Sequence, residues 1–429
     1  MSLLDWMSGL PDDWEAKPLR STADYVVSNV DKVPAENETP VRLCNYTDVY
    51  NNEFITLALD FMQATASEDE VAKFGVCVND VIITKDSESW DDIGVPALVR
   101  ETASDLVCGY HLALLRPHRQ KMDGAFLFRC LQAKPIRVQL ELAANGVTRF
   151  GIPKSEIGTM TLPVPPMAQQ RAIADYLDRE TARLDALVAA KELVLGLLAE
   201  KRVALITRAV TRGVDPRAPL RDSGIPWLGE VPEHWDTERA KWSFRERDER
   251  SVTGEEELLT VSHLTGVTPR SEKDVNMFEA ETTEGYKICL AGDLVINTLW
   301  AWMGAMGVSR VNGIVSPAYN VYRPGARLDP SYVDALVRLP VFTQEVIRYS
   351  KGVWSSRLRL YPDGFFEVFL PVPSLPEQRE IVAHVARETR KMDLLRRATE
   401  RTIAMLKERR AALIAAVVTS KIEVPRADV

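Results

Sequence analysis

Residues 162–214 read LPVPPMAQQRAIADYLDRETARLDALVAAKELVLGLLAEKRVALITRAVTRGV, and residues 370–422 read LPVPSLPEQREIVAHVARETRKMDLLRRATERTIAMLKERRAALIAAVVTSKI. The two stretches lie 208 residues apart and align without a gap, with 22 of 53 positions identical. Self-similarity at a fixed spacing marks a tandem architecture before any single element is assigned. In both copies the Pro-rich start is extended, since proline blocks a helix and withholds a backbone donor. Beyond it the period turns helical. Leu184, Leu187, Val188, Leu195, Leu198, Leu205, Ile206 and Ala209 form one stripe at spacings of three, four and seven. Their matches are Met392, Leu395, Arg396, Ile403, Leu406, Leu413, Ile414 and Val417, apolar at all but one position. Stripes this long, with charges off them, suit a pair of long helices. Thr181 and Thr389 read as a kink between a short and a long helix, and Gly213 as a C-cap.

Upstream the repeat is fainter. Asn79-Asp80-Val81-Ile82-Ile83 returns as Gly292-Asp293-Leu294-Val295-Ile296, and Leu115-Arg116-Pro117 as Tyr322-Arg323-Pro324. Asn145-Gly146-Val147 returns as Lys351-Gly352-Val353, and Leu10-Pro11-Asp12-Asp13-Trp14 as Val231-Pro232-Glu233-His234-Trp235. The spacing drifts, so loops are inserted between matched elements. Each half is one globular block followed by one helical arm: blocks at 1–165 and 216–374, arms at 166–215 and 375–429. Within the blocks, strands are expected at 76–84, 112–115, 288–298 and 320–322, and helices at 126–144 and 330–350. The fold class is therefore α+β. Two tandem mixed α/β blocks are separated by two long antiparallel helices, a coiled-coil spacer, in a pseudo-two-fold repeat. At 1.5 Å per residue a ~30-residue helix spans about 45 Å, against ~34–36 Å between successive major-groove faces of DNA.

The chain has 429 residues, 46% of them hydrophobic and 27% charged, enough for two or three units with ample cores. Mean hydropathy is −0.13, and the apolar runs are too short to span a bilayer. The first ten residues lack a basic start followed by an apolar stretch, so no secretory signal is expected. Cys44, Cys77, Cys108, Cys130 and Cys289 are scattered, with no CxxC pair, which fits a reducing cytoplasm. Net charge is −8, distributed as −9 over 1–166, +3 over 167–221, −6 over 222–374 and +4 over 375–429. A solitary nucleic-acid binder carries a basic face, so a DNA-binding role here needs partners that make up the deficit.

Catalytic signatures are missing from the sequence. There is no GxxxxGK[ST], no GxGxxG behind a strand, no Asn/Asp-Pro-Pro-aromatic loop and no HExxH. His111, His118, His234, His263 and His384 do not cluster. Residues 11–17 (PDDWEAK) look superficially like a PD-(D/E)xK nuclease core. That core needs its first acid on a separate strand, and the matching second-half stretch lacks the pattern. A Trp-anchored domain entry explains it better. No catalytic and no metal-binding residue is assigned, which points to a binding or scaffold role.

The pattern LPVP-x-x-x-x-Q-R (162–171 and 370–379), followed by E-x-R-x-A-L-I (200–206 and 408–414), resembles the specificity subunit of type I restriction-modification systems. GIPWLGEVPEHW at 224–235 is similar to the entry of that family's second target-recognition domain. One departure is Ala168-Gln169-Gln170, where the second half keeps Pro376-Glu377-Gln378. The resemblance covers essentially the whole chain and is strongest in the arms. It implies a non-catalytic, cytoplasmic reader of double-stranded DNA with no membrane association and no cofactor of its own. Each block would read half of a bipartite target, with the helices as a ruler between them. Two modification subunits would bind S-adenosylmethionine and methylate adenine. Restriction subunits would add ATP- and Mg-dependent cleavage and translocation.

For helix pairing and subunit docking the candidates are Leu184, Leu187, Leu195, Leu198, Leu205, Ile206, Met392, Leu395, Ile403, Leu406, Leu413 and Ile414. For DNA contact they are Lys85, Trp90 and Arg149 in the first block. In the second they are Trp300, Trp302, Trp354, Ser355, Ser356, Arg357 and Arg359. Each reads equally well as a surface ion pair or a core aromatic. Two other readings stay open: a two-domain coiled-coil scaffold that does not touch DNA, and a self-sufficient nuclease built on residues 11–17.

Overall fold

The computed structural model describes residues 5–273, 282–352 and 358–424. They pack as two compact units. One runs to Glu192 and resumes at Glu400; the other is Leu193–Thr399. Each unit therefore holds one block, the start of one arm and the end of the other.

Both arms are uninterrupted helices, Met167–Arg212 and Leu375–Val418. The expected kink at Thr181 and Thr389 is not there. Each hydroxyl instead donates to the carbonyl four residues back, Leu177 and Val385, at 2.7 Å, so the threonine is satisfied inside a continuous helix. Gly213 does cap the first arm, at φ 75° with its N–H on the Ala209 carbonyl at 3.1 Å.

The first block is built on a five-stranded sheet in the order Ala23–Val27, Leu112–Pro117, Val81–Thr84, Pro96–Val99 and Phe54–Ile55. Its pairs are antiparallel except the last. The second block has an antiparallel four-stranded sheet in the order Phe244–Arg247, Tyr319–Pro324, Leu294–Asn297 and Met306–Val308. The matched strands enter alike. Asn79 sits at φ 78° and Gly292 at φ 96°, a region open to glycine and tolerated by asparagine. The next residue, Asp80 or Asp293, then accepts the N–H of Cys77 or Leu290 at 2.8 and 2.9 Å. The repeated Asn-Asp and Gly-Asp are thus one turn.

Each LPVP segment is a strand that closes its own block. Thr161–Val164 pairs antiparallel with Glu15–Pro18, and Phe369–Val372 with Asp236–Arg239. Glu15 and Lys17, from the nuclease-like stretch, form an ion pair with each other on that entry strand. Trp14 Nε1 donates to Gln169 Oε1 at 3.0 Å, and Trp235 Nε1 to Glu377 Oε1 at 2.9 Å. The glutamine of LPVP-x-x-x-x-Q-R is buried in both copies and makes the same three bonds. Gln170 Nε2 donates to the Pro165 and Lys121 carbonyls while its Oε1 accepts from Asp123 N–H. Gln378 does the same with Pro373, Arg327 and Asp329. Asp123 and Asp329 in turn N-cap Gly124–Gln132 and Pro330–Val337. One side chain therefore ties strand, arm and block helix together, which is why it recurs.

The two block helices expected at 126–144 and 330–350 are each divided. The observed helices are Gly124–Gln132 and Lys134–Ala143, then Pro330–Val337 and Pro340–Tyr349. Pro135 and Pro340 are tolerated only in the first turn of a new helix, where no partner for the missing N–H is needed. Phe126, Phe128 and Ile136 form the first core with Ile173 and Leu177 of one arm and Ile414 and Val417 of the other. Tyr322, Phe342 and Phe365 form the second with Val210 and Ile381.

Within each unit the arm segments run antiparallel. Asp185 pairs with Arg410 and Glu192 with Lys407 in the first, Arg202 with Asp393 in the second. Leu184, Ile403 and Ile414 are buried; Leu195, Leu198, Leu205, Ile206, Met392, Leu406 and Leu413 are half-buried. Leu187 and Leu395 fall outside the seam, 45% and 51% exposed. The seam follows alternating steps of four and three, through Leu184, Val188, Lys191, Leu195, Leu198, Arg202, Leu205 and Ala209. Leu187 lies one position off that line, as Leu395 does in the second arm.

Candidate nucleic-acid interface

In the first block the strand Val81–Thr84 runs out into Lys85, Asp86 and Ser87. Lys85 Nζ donates to Asp86 Oδ1 at 3.0 Å, and His111 Nδ1 lies 2.6 Å from Asp86 Oδ2. His111 precedes the neighbouring strand at φ 70°, left-handed for a residue with a side chain, and its carbonyl accepts the Lys85 N–H at 2.9 Å. Burial opposes the charge on Asp86, but the bonds from His111 and Lys85 outweigh it and hold the carboxyl below its ordinary range.

Aromatic groups surround this centre. The Tyr110 ring lies 3.8 Å from His111. Tyr46 and Tyr50 stack at 5.6 Å, and Tyr50 Oη donates to Asp92 Oδ2 at 2.7 Å. Burial raises the Tyr46 phenol against the opposing effect of its bond with Ser87, and the Asp92 bond raises Tyr50. Trp90, two residues before Asp92, is exposed. The pairing of Phe150–Gly151 with Asp86–Ser87 brings exposed Arg149 to the same loop. Arg149, remote in sequence from Lys85 and Trp90, is thus brought to the loop that follows their strand. Sequence reasoning missed Tyr46, Tyr50, Asp86, Tyr110 and His111.

The second block places its candidates at the matching position. After Leu294–Asn297 the chain turns through Trp300 and Trp302, whose rings stack 6.3 Å apart, with Trp302 Nε1 on the Leu299 carbonyl at 3.0 Å. Lys351 and Arg359 exchange both backbone bonds at 2.9 Å, as Asn145 and Gly151 do at 2.9 and 3.1 Å. Leu360 N–H then bonds the Thr298 carbonyl at 3.2 Å, as Ile152 N–H bonds that of Lys85 at 2.9 Å. Each block therefore pairs two backbone segments, Asn145 with Gly151 or Lys351 with Arg359, and ties the second of them to the end of a central sheet strand. Arg359 is exposed. Trp354, Ser355, Ser356 and Arg357 lie outside the described residues.

Among the described residues no group of three or more His, Cys, Asp or Glu is placed to hold a metal ion. No helix among them is long and apolar enough to cross a membrane.

The whole chain shares its fold with solved structures. It matches an HsdS subunit from Thermoanaerobacter tengcongensis with a TM-score of 0.57 and 17% identity, over 96% of this chain and 98% of that one. It matches a chain of a type I R-M system, described for its complex assembly and conformational transition, with a TM-score of 0.64 and 18% identity, over 96% and 99%. The fold is that of an HsdS subunit.

Sequence relatives agree with this. The putative type I restriction enzyme MjaX specificity subunit of Methanocaldococcus jannaschii is 22% identical over 228 residues, 53% of this chain and 52% of the relative. The EcoKI specificity subunit of Escherichia coli is 25% identical over 209 residues, 47% and 43%. The chain spans about half the length of the curated relatives it matches. No protein-family model matches it. The resemblance carried by the LPVP and E-x-R-x-A-L-I motifs is borne out.

Proposed function

We propose that the chain is the DNA sequence-specificity subunit of a type I restriction-modification complex, each block reading one half of a bipartite duplex target. The observation that carries this is the duplicated clasp. The same backbone pairing is held against the end of a sheet strand in each block, and the side chains at that strand end differ, Lys85 and Asp86 in one block and Thr298 and Leu299 in the other. Fixed framework with variable groups is what direct readout of two unlike half-sites requires. The acidic blocks supply little phosphate affinity, so that share falls to partners. Those partners are two modification subunits, which carry S-adenosylmethionine, and restriction subunits, which carry ATP and Mg. This chain contributes no catalytic step. Selection from randomised duplexes by the full chain together with its modification subunits tests the reading. Two short fixed runs at a constant gap are expected; recovery of random sequence defeats it and favours a scaffold that does not touch DNA.

The arms are the docking surface in this reading. Leu187 and Leu395 occupy matched positions and face away from the seam, as do Leu197 and Met405. Exposed leucines paired across a repeat suit two copies of one partner. Replacing Leu187 and Leu395 with aspartate is expected to lower recovery of the complex at least tenfold in size-exclusion chromatography, with helical circular dichroism unchanged. An intact 2:1 complex contradicts docking at these positions.

A further inference from the structure

We infer that Lys85, Asp86 and His111 form the base-reading centre of the first block and that its ligand is the major-groove edge of a guanine. The inference rests on the DNA-reading function proposed above and adds the base. Asp86 has one oxygen on Lys85 and the other on His111, so its carboxylate is already engaged and is a poor acceptor for a base amino group. What the centre offers outward is donors. The Lys85 ammonium spends one N–H on Asp86 and has others to give. Guanine is the base whose major-groove edge presents two adjacent acceptors, N7 and O6, the usual target of lysine and arginine. Asp86 and His111 act here as positioning residues: the carboxylate fixes the ammonium, and the imidazole fixes the carboxylate.

The second block shows that this charged set is not needed to hold the fold. The positions matching Lys85, Asp86 and His111 are Thr298, Leu299 and Ala318. The same two segments still meet there, through Thr298 Oγ1 donating to the Ala318 carbonyl at 2.6 Å. The first block thus keeps a carboxylate, a lysine and a left-handed histidine where an uncharged set suffices for the scaffold. Backbone in that region is held at a cost and concentrates at working sites.

The test uses the full chain with its modification subunits and a randomised duplex library, comparing wild type with Lys85→Thr and Asp86→Asn. Lys85→Thr installs the residue that the second block carries. Wild type is expected to select a guanine at one position of one half-site. Placing 7-deazaguanine there should weaken binding about tenfold or more, the range of one lost base contact. Lys85→Thr should lose the preference at that position only, and Asp86→Asn should blunt it. The other half-site should stay unchanged and so report that the variant is folded. A Lys85→Thr motif identical to wild type overturns the inference, as does an equal loss of affinity for every duplex, which marks a phosphate contact. Wild type selecting no sequence at all overturns the DNA-reading function itself, a separate outcome.

Discussion

Replacing Arg129 with methionine should destabilise the first unit by about 3 kcal/mol, the lower end of what breaking a buried charge pair costs. Arg129 is 1% exposed, on the helix Gly124–Gln132. Its guanidinium donates to Asp178 Oδ1 at 2.7 Å, to Thr181 Oγ1 at 3.1 Å and to Gln132 Oε1 at 2.7 Å. Gln132 in turn donates to Glu53, which accepts from Arg410 of the second arm at 2.6 Å. One buried cation therefore links the first block to both arm segments of its unit. Methionine fills much of the volume but leaves Asp178 partly buried with Arg100 as its remaining ion-pair partner among the described residues.

Burial works against the Asp178 charge, yet Arg129 and Arg100 hold its carboxyl below the ordinary range. A carboxyl with a lowered folded pKa stabilises the fold above its unfolded pKa, about 3.9, and loses that contribution as pH falls through the folded value. The deficit of the variant should thus be full at pH 7 and shrink below about pH 4, where the wild type loses the same term. Hydrogen exchange reads both effects. Amides of Gly124–Gln132 should exchange about 100-fold faster at pH 7, while those of Pro330–Val337 in the other unit keep their rates. A change under threefold in the first helix would show that the network is redundant.

How much of this was legible in the sequence depended on range along the chain. The arms, the Trp14 and Trp235 entries and the two buried glutamines were readable because duplication prints each feature twice. Asn79 and Gly292 were readable as matched positions of the repeat; the turn they share shows in their positive φ. The divided helices were also within reach, since Pro135 and Pro340 cannot lie in a helix interior. Periodicity placed Leu187 and Leu395 in the stripe because a step of three is helical either way. Which residues face a partner is settled only by the phase of the opposing helix. The centre around His111 was out of reach for a different reason. Asp86 and His111 are brought together by the pairing of Leu112–Pro117 with Val81–Thr84. Register between strands that distant is set by tertiary packing and leaves no local pattern. Lys85 could be picked as a polar residue after a strand; its partners could not.

If the arms set the distance between two readers, lengthening both should widen the gap of the recognised sequence and leave its bases alone. Four residues inserted between Leu193 and Val194, and four between Met405 and Leu406, enlarge the arms beside the Glu192–Lys407 ion pair. Four residues add about 6 Å of rise and turn the helix about 40° past a full revolution. On DNA, ~3.4 Å and about 35° separate successive base pairs. By rise alone the gap grows by one to two base pairs; the rotation favours one. An insertion of four is also the stutter that paired helices absorb by local unwinding, so the seam survives when both arms receive it. Given to one arm only, the same insertion shifts Leu195 and Leu198 relative to Lys191 with no matching shift in the partner arm and should cost the complex its stability. Methylome sequencing of a host carrying the doubly lengthened chain is expected to show unchanged half-sites around a gap longer by one base pair. New half-site bases at the old gap would instead mean that the blocks, and not the arms, fix the spacing.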